Sequence, residues 1–130
     1  MGCIVDTDVC ISLMKQNPDT LNRLNSLDSE FHLSFMSVSE LFYGAYHSSR
    51  EAYHLELTKN FINRFKILNP NAESCELFGF IKSKLKKEGQ LIPDADLLIG
   101  SLAISYNSAL FTYNTKHFER LNVFGLRLVK

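Results

Sequence analysis

Cys3-Ile4-Val5-Asp6-Thr7-Asp8 is a short apolar run that ends abruptly in acid. Ile4 and Val5 are β-branched and suit a strand buried on both faces, as in a parallel sheet. In open α/β sheets, ligands bind just outside the carboxyl ends of the strands, which is where Asp6 would stand. Thr7 or Asp8 is then expected to cap the helix indicated by residues 9–14. A strand that runs straight into aspartate points to a polar site at the sheet edge. Which residues join Asp6 there decides the chemistry.

Outward from this stretch, apolar periodicity alternates between helix and strand, which predicts an α/β fold with a central parallel sheet covered on both faces. Residues 9–15 and 19–27 read as short helices separated by Asn17-Pro18. Phe31-His32-Leu33-Ser34-Phe35-Met36 alternates strictly and reads as a second strand, running into a helix start at Ser37-Val38-Ser39-Glu40. Residues 48–65 predict a long helix and residues 66–68 a short strand. Residues 72–88 predict a further helix, closed by Gly89 where a left-handed cap is usual. Ile92-Pro93-Asp94 opens another, running to about residue 106. Ala109-Leu110-Phe111-Thr112-Tyr113 is an apolar strand, residues 115–120 a brief helix, and residues 126–129 an edge strand. There is no repeat, low-complexity tract or linker. The 130 residues predict one domain over 1–130, with a core that buries roughly 65–70% of the unfolded surface.

Composition narrows the function classes. The chain is 45% hydrophobic and 22% charged, ordinary for a globular protein. No apolar run approaches the ~20 residues of a membrane span and no signal-peptide pattern opens the sequence, so a cytoplasmic location is expected, without membrane partners. Cys3, Cys10 and Cys75 lack metal-type spacing, and the first two read as small reduced core residues. The formal net charge is zero, so no global field draws the protein to nucleic acid. Lys82, Lys84, Lys86 and Lys87 form the one local basic run, which alone reads as a solvated helix face.

Polar groups fall at or just past the end of apolar elements in four places: Asp6, Glu40, Asp94/Asp96 and Asn114. Ser37-x-x-Glu40 is a capping-box sequence, in which Glu40 would reach back to the Ser37 amide. Asp94 follows Pro93 and reads as an N-cap, and Asp96 lies about 200° around the helix from it. Asn114 would cap the helix after it. Two glycines favour more than capping. Gly44 follows Glu40 and Gly100 follows Asp96 by four residues, and i and i+4 share a helix face. A mid-helix glycine costs about 1 kcal/mol relative to alanine, which close approach of another element or a ligand beside each acid would justify. Were Asp6, Glu40 and Asp96 to converge, they would repel one another unless a cation sat among them. Hard oxygen ligands select Mg²⁺ or Mn²⁺, and carboxylate-held Mg²⁺ suits phosphoryl chemistry. His32, His47, His54 and His117 are scattered and read as surface or helix-end residues rather than ligands.

Val5-Asp6-Thr7-Asp8, Ser37-x-x-Glu40-Leu41-x-x-Gly44, Asp96-x-x-Ile99-Gly100 and Thr112-x-Asn114-x-x-x-Phe118, in that order, resemble the PIN-domain ribonucleases, and within them the VapC-type toxins of toxin–antitoxin modules. The resemblance covers nearly the whole chain. It implies a three-layer α/β/α fold and a Mg²⁺- or Mn²⁺-dependent endoribonuclease that cuts RNA phosphodiester bonds with a metal-activated water. It also implies a homodimer held silent by a cognate antitoxin protein. By position, Asp6 and Asp96 would be the principal metal ligands. Glu40 would complete the catalytic triad, as ligand or as orienter of the nucleophilic water, and Thr7, Asp8, Thr112 and Asn114 would support the site.

The chain departs from the family in places. The position of Asp8 is commonly asparagine, that of Asn114 often a fourth aspartate, and Gly100 stands where alanine is usual. On this reading the lysines at 82, 84, 86 and 87 become candidates for RNA phosphate contacts. Two other readings stay open. An apolar strand followed by Asp-x-Asp is similar to the start of haloacid-dehalogenase-type phosphatases, although Val9-Cys10 replaces their glycine turn. The chain would otherwise be a catalytically silent PIN-fold binding module, against which the intact acidic set argues. The rings of Phe42, Tyr43 and Tyr46 beside Glu40 are expected to pack against a partner or dimer mate.

Overall fold

The computed structural model describes residues 2–129. Gly2–Val5 forms β1, Glu30–Ser34 β2, Lys66–Leu68 β3, Ala109–Phe111 β4 and Arg127–Leu128 β5. They make a sheet in the order β3-β2-β1-β4-β5, with every neighbouring pair parallel. Cys3, Ile4 and Val5 are fully buried, as the central strand of a sheet covered on both faces must be.

Because successive strand residues point to opposite faces, the sheet divides the core in two. Ile4 and Leu110 face the helices Ala72–Lys87 (α5) and Asp94–Ser105 (α6) and the 3₁₀ turn Glu119–Phe124, meeting Ile81, Leu85, Leu97, Ile99 and Leu121. Cys3, Val5, Leu33 and Phe111 face the opposite layer, built from Thr7–Met14 (α1), Pro18–Asn25 (α2), Phe35–Tyr46 (α3) and Glu51–Ile62 (α4). A single-turn helix, Thr115–Phe118 (α7), inserts Phe118 into the first core. The result is the expected three-layer α/β/α sandwich. No helix among the described residues is long and apolar enough to cross a membrane.

Several boundaries differ from the sequence reading, each for a local reason. β2 ends at Ser34, whose Oγ accepts the Ser37 amide at 3.1 Å and caps α3. Phe35 and Met36, which continue the alternation, are therefore helical, and Ser37 is an inner residue rather than the cap. With Ser37 displaced, the Ser37/Glu40 capping box does not form. Asp6, not Thr7 or Asp8, caps α1, accepting the Thr7 amide. Asp94 is the first helical residue of α6 after Pro93 and makes no cap bond; its carboxylate pairs with Lys82 at 3.0 Å. Asn114 precedes α7 without a side-chain cap bond. The helix read over 48–65 is confined to Glu51–Ile62, because Ser48 Oγ accepts the Arg50 amide in a turn at its start and the chain turns again before β3. Gly89 has φ +67° after α5, the left-handed closure that the sequence suggested.

The connectivity fixes where a ligand can bind. From β1 the chain steps outward through β2 to β3, whereas β4 and β5 lie on the other side of β1. Strand order reverses between β1 and β4, and at such a switch point a crevice opens beyond the strands' carboxyl ends.

Candidate active site

Asp6 stands at that crevice. Its amide donates to Phe111 O at 2.9 Å, continuing the β1–β4 pairing by one residue and setting Asp6 beside Thr112. The Thr112 hydroxyl donates to Asp6 Oδ2 and the Thr7 amide to Oδ1, both at 2.8 Å. Asp6 is only 6% exposed. Burial pushes its pKa up to about 6; the bonds from Thr112 and Thr7 pull it down, and the nearby charges of Asp8 and Asp96 push it up again. Three acids from two distant parts of the chain thus share one field.

Thr7 links this carboxylate to Glu40. Its hydroxyl lies 2.7 Å from Glu40 Oε1 and 2.9 Å from Ser37 Oγ. A hydroxyl has one proton and a carboxylate none, so Thr7 donates to Glu40 and the Ser37 hydroxyl turns to donate to Thr7. Ser34 Oγ in turn donates to Ser37 Oγ at 3.2 Å. This run of hydroxyls, polarised in one direction, holds the exposed Glu40 through Oε1.

Asp96, in the first turn of α6, is held by a residue that the sequence reading placed elsewhere. His117 Nδ1 lies 2.9 Å from Asp96 Oδ2. Since the carboxylate has no proton to give, Nδ1 carries the hydrogen and donates. Asn114 Nδ2 stands 3.4 Å from the same oxygen and 3.1 Å from His117 Nδ1. His117 is thus a member of the acidic pocket, not a detached helix-end residue. Only the placement of α7 against the start of α6 reveals it, and no motif spacing could have. Asp8 completes the cluster, accepting the amides of Val9 at 2.7 Å and Tyr113 at 3.1 Å. Burial raises its pKa, offset by amide bonds from Val9, Tyr113 and Asn114, with the Asp96 charge adding to the rise.

The donors are hard oxygens, and the mutual repulsion at Asp6 is what a cation would relieve. Among the described residues, however, no three acid, histidine or cysteine side chains stand close enough to cage an ion unaided. The set fits Mg²⁺ or Mn²⁺ held by one or two carboxylates with water and substrate oxygens filling the remaining positions, the usual habit of Mg²⁺.

Other candidates lie apart. Lys82 is paired with Asp94, while Lys84, Lys86 and Lys87 are exposed on α5. Cys3 and Cys10 are buried with their thiols pushed up by burial, Cys3 to about 11. His32 is buried in β2 beside Glu30 rather than at the surface. Of the two glycines, Gly100 is closely approached: a Cβ there would meet Leu121 Cδ1 at 2.3 Å. Gly44 is not, since nothing lies within 4 Å of its Cβ position. It opens instead onto a groove of about 390 Å³ shared with Glu40, Ile11 and Leu57. Tyr43 and Tyr46 are 69% and 61% exposed, whereas Phe42 packs against its own core.

A parallel α/β/α sandwich with carboxylates gathered at its switch point defines a class of acidic-pocket domains. The PIN domain matches residues 3–123 of this chain. Ribonuclease VapC2 of Haemophilus influenzae is 32% identical over 119 residues, covering 91% of this chain and 90% of that protein. Ribonuclease VapC1 of Methanocaldococcus jannaschii is 37% identical over 125 residues, covering 96% and 85%. Among solved structures, VapBC2 from Rickettsia felis bound to a promoter DNA fragment superimposes with a TM-score of 0.90 at 28% identity, covering 99% of this chain and 98% of that one. The chain belongs to the PIN-domain family, in its VapC-type branch.

Proposed function

We propose that this protein is the toxin of a toxin–antitoxin pair, a Mg²⁺- or Mn²⁺-dependent endoribonuclease that acts as a homodimer and is silenced by a cognate antitoxin protein. The observation that supports the reading is the hydrogen-bonded run at the switch point: Thr112 and the Thr7 amide hold the Asp6 carboxylate just past the end of β1, the Thr7 hydroxyl holds Glu40, and the charge of Asp96 in the first turn of α6 acts on Asp6. The relatives' names support a ribonuclease, and the VapBC assemblies support a protein partner. The phosphatase alternative gains nothing from the geometry.

Asp6 and Asp96 would hold the ion, with Glu40 as a further ligand or as the orienter of water. When bound, the ion lowers the pKa of an attacking water and stabilises charge on the phosphate. Thr112 and the Thr7 amide fix the Asp6 carboxylate, and His117 and Asn114 fix Asp96. Thr7 holds Glu40 by Oε1, which would fix the carboxylate in either role. Asp8 clamps the Tyr113 amide and so keeps Thr112 in place. The exposed lysines 84, 86 and 87 offer non-specific phosphate contacts beyond the pocket.

The test is to incubate purified, antitoxin-free protein with total tRNA and mRNA plus Mg²⁺ or Mn²⁺ and to map the cut ends. Asp6→Ala and Asp96→Ala should abolish cleavage while circular dichroism shows the fold retained. Mn²⁺ should raise the Tm of the wild type but not of Asp6→Ala. An Asp96→Ala protein as active as wild type would refute the site, and uncut RNA would revive the silent binding module.

A further inference from the structure

A second cavity opens off the other side of Thr112. It is a cleft of about 700 Å³ between α2 and the carboxyl ends of β4 and β5, lined among others by Arg23, Tyr113, Thr115, Asn122, Glu119 and Arg127. Thr112 is the shared wall, since its hydroxyl is bonded to Asp6. Whatever occupies the cleft is therefore next to whatever sits at the carboxylates.

Two residues give the cleft its chemistry. Arg23 is half-buried with its guanidinium 5.2 Å above the Phe111 ring centroid, and it pairs with no carboxylate among the described residues. A partly desolvated guanidinium without a counter-ion is a ready site for a phosphate, which its fork of donors matches. Tyr113 is 47% exposed, yet its ring is held at both ends: the hydroxyl is bonded to the Thr20 hydroxyl, and the ring packs edge-on against Phe111 at 5.9 Å. An immobilised, exposed aromatic ring is a stacking platform for an unpaired base. The lining contains one acid, Glu119, against two arginines, the reverse of the acidic pocket beside it. Arg127 is engaged with Asn107 O at 2.8 Å, whereas Arg23 has no ion-pair partner among the described residues.

Resting on the nuclease reading above, we infer that this cleft is a nucleotide subsite: it seats the single-stranded RNA nucleotide adjoining the phosphate at Asp6, with Arg23 on its phosphate and Tyr113 against its base. The subsite sets the register of the strand across the pocket.

The test measures binding without turnover. A short single-stranded RNA carrying 2-aminopurine is titrated into the antitoxin-free protein in EDTA at several salt concentrations. Arg23→Gln should weaken binding about 5–10-fold and reduce the salt slope by about 1. Arg23→Lys, which keeps the charge, should restore the slope. Tyr113→Leu should abolish the 2-aminopurine quenching while leaving the salt slope intact. Thermal melts identify any variant that fails to fold; Arg23→Lys and Tyr113→Leu then carry the comparison. Equal affinity and equal salt slope for wild type and a folded Arg23→Gln would overturn the subsite, as would a wild type that binds no RNA. A protein that binds RNA through Arg23 yet cuts none would leave the subsite standing and count against the nuclease. One that cuts RNA with an affinity indifferent to Arg23 would do the opposite.

Discussion

Asp6 is held where its charged form is disfavoured. Its pKa rises from an ordinary 3.8 to about 6, so between those values the folded state binds more protons than the unfolded one. Stability contributed at this position is therefore greatest below pH 4, falls as the pH rises to about 6 and is level above that. At about 1.4 kcal/mol per unit, the cost at neutral pH is roughly 3 kcal/mol. Asn in its place keeps an oxygen for the Thr7 amide and carries no charge. Asp6→Asn is accordingly expected to be more stable than wild type at pH 7, with the gap closing towards pH 4. Urea unfolding at a series of pH values checks this, and a gap independent of pH would show that desolvation of Asp6 is not its source.

At the scale of elements, α3 joins the site to the core. Its cap Ser34 begins the run of hydroxyls that ends at Glu40. Ser34→Ala should cost about 1 kcal/mol from the lost cap, and nuclease activity should fall as well, because the Ser37 and Thr7 hydroxyls lose their common orientation. Gly44, one turn beyond Glu40, has open space at its Cβ position. Gly44→Ala is expected to stabilise the helix by about 0.5–1 kcal/mol, read as a higher Tm. If the open groove beside it receives a partner, that substitution will also weaken the complex, which titration with the antitoxin would reveal. The sequence flagged Gly44 and Gly100 together on helical spacing alone. Only the fold separates them, because Leu121 reaches Gly100 from the 3₁₀ turn and nothing reaches Gly44.

At the scale of the molecule, Tyr43 and Tyr46 form an apolar surface that the monomer does not cover. A homodimer through this face predicts that Tyr43→Ser with Tyr46→Ser shifts the sedimentation coefficient from dimer to monomer at low micromolar concentration without loss of fold. A wild type that stays monomeric at high micromolar concentration would refute it.

How much was legible in the sequence follows from what is local. The run Cys3-Ile4-Val5-Asp6 specifies a doubly buried strand ending in acid because β-branching and burial act within a few residues, and the acids at 6 and 96 follow from where a strand stops and a helix starts, whereas Glu40 lies inside α3. The end of β2 was not legible, because Phe35 and Met36 satisfy the alternation of a strand and the hydroxyl of Ser34 as a helix cap equally well. His117 was invisible for a stronger reason: a lone histidine acquires meaning only from its neighbour, and its neighbour is 21 residues away. By itself, then, the sequence determined the layers, the central strand and the list of acids. The tertiary structure alone decided that β4 lies beside β1, and with it that Thr112 grips Asp6, that His117 grips Asp96 and that Arg23 lines the adjoining cleft. Side-chain chemistry is written residue by residue, whereas proximity across a sheet is set by which strands pair.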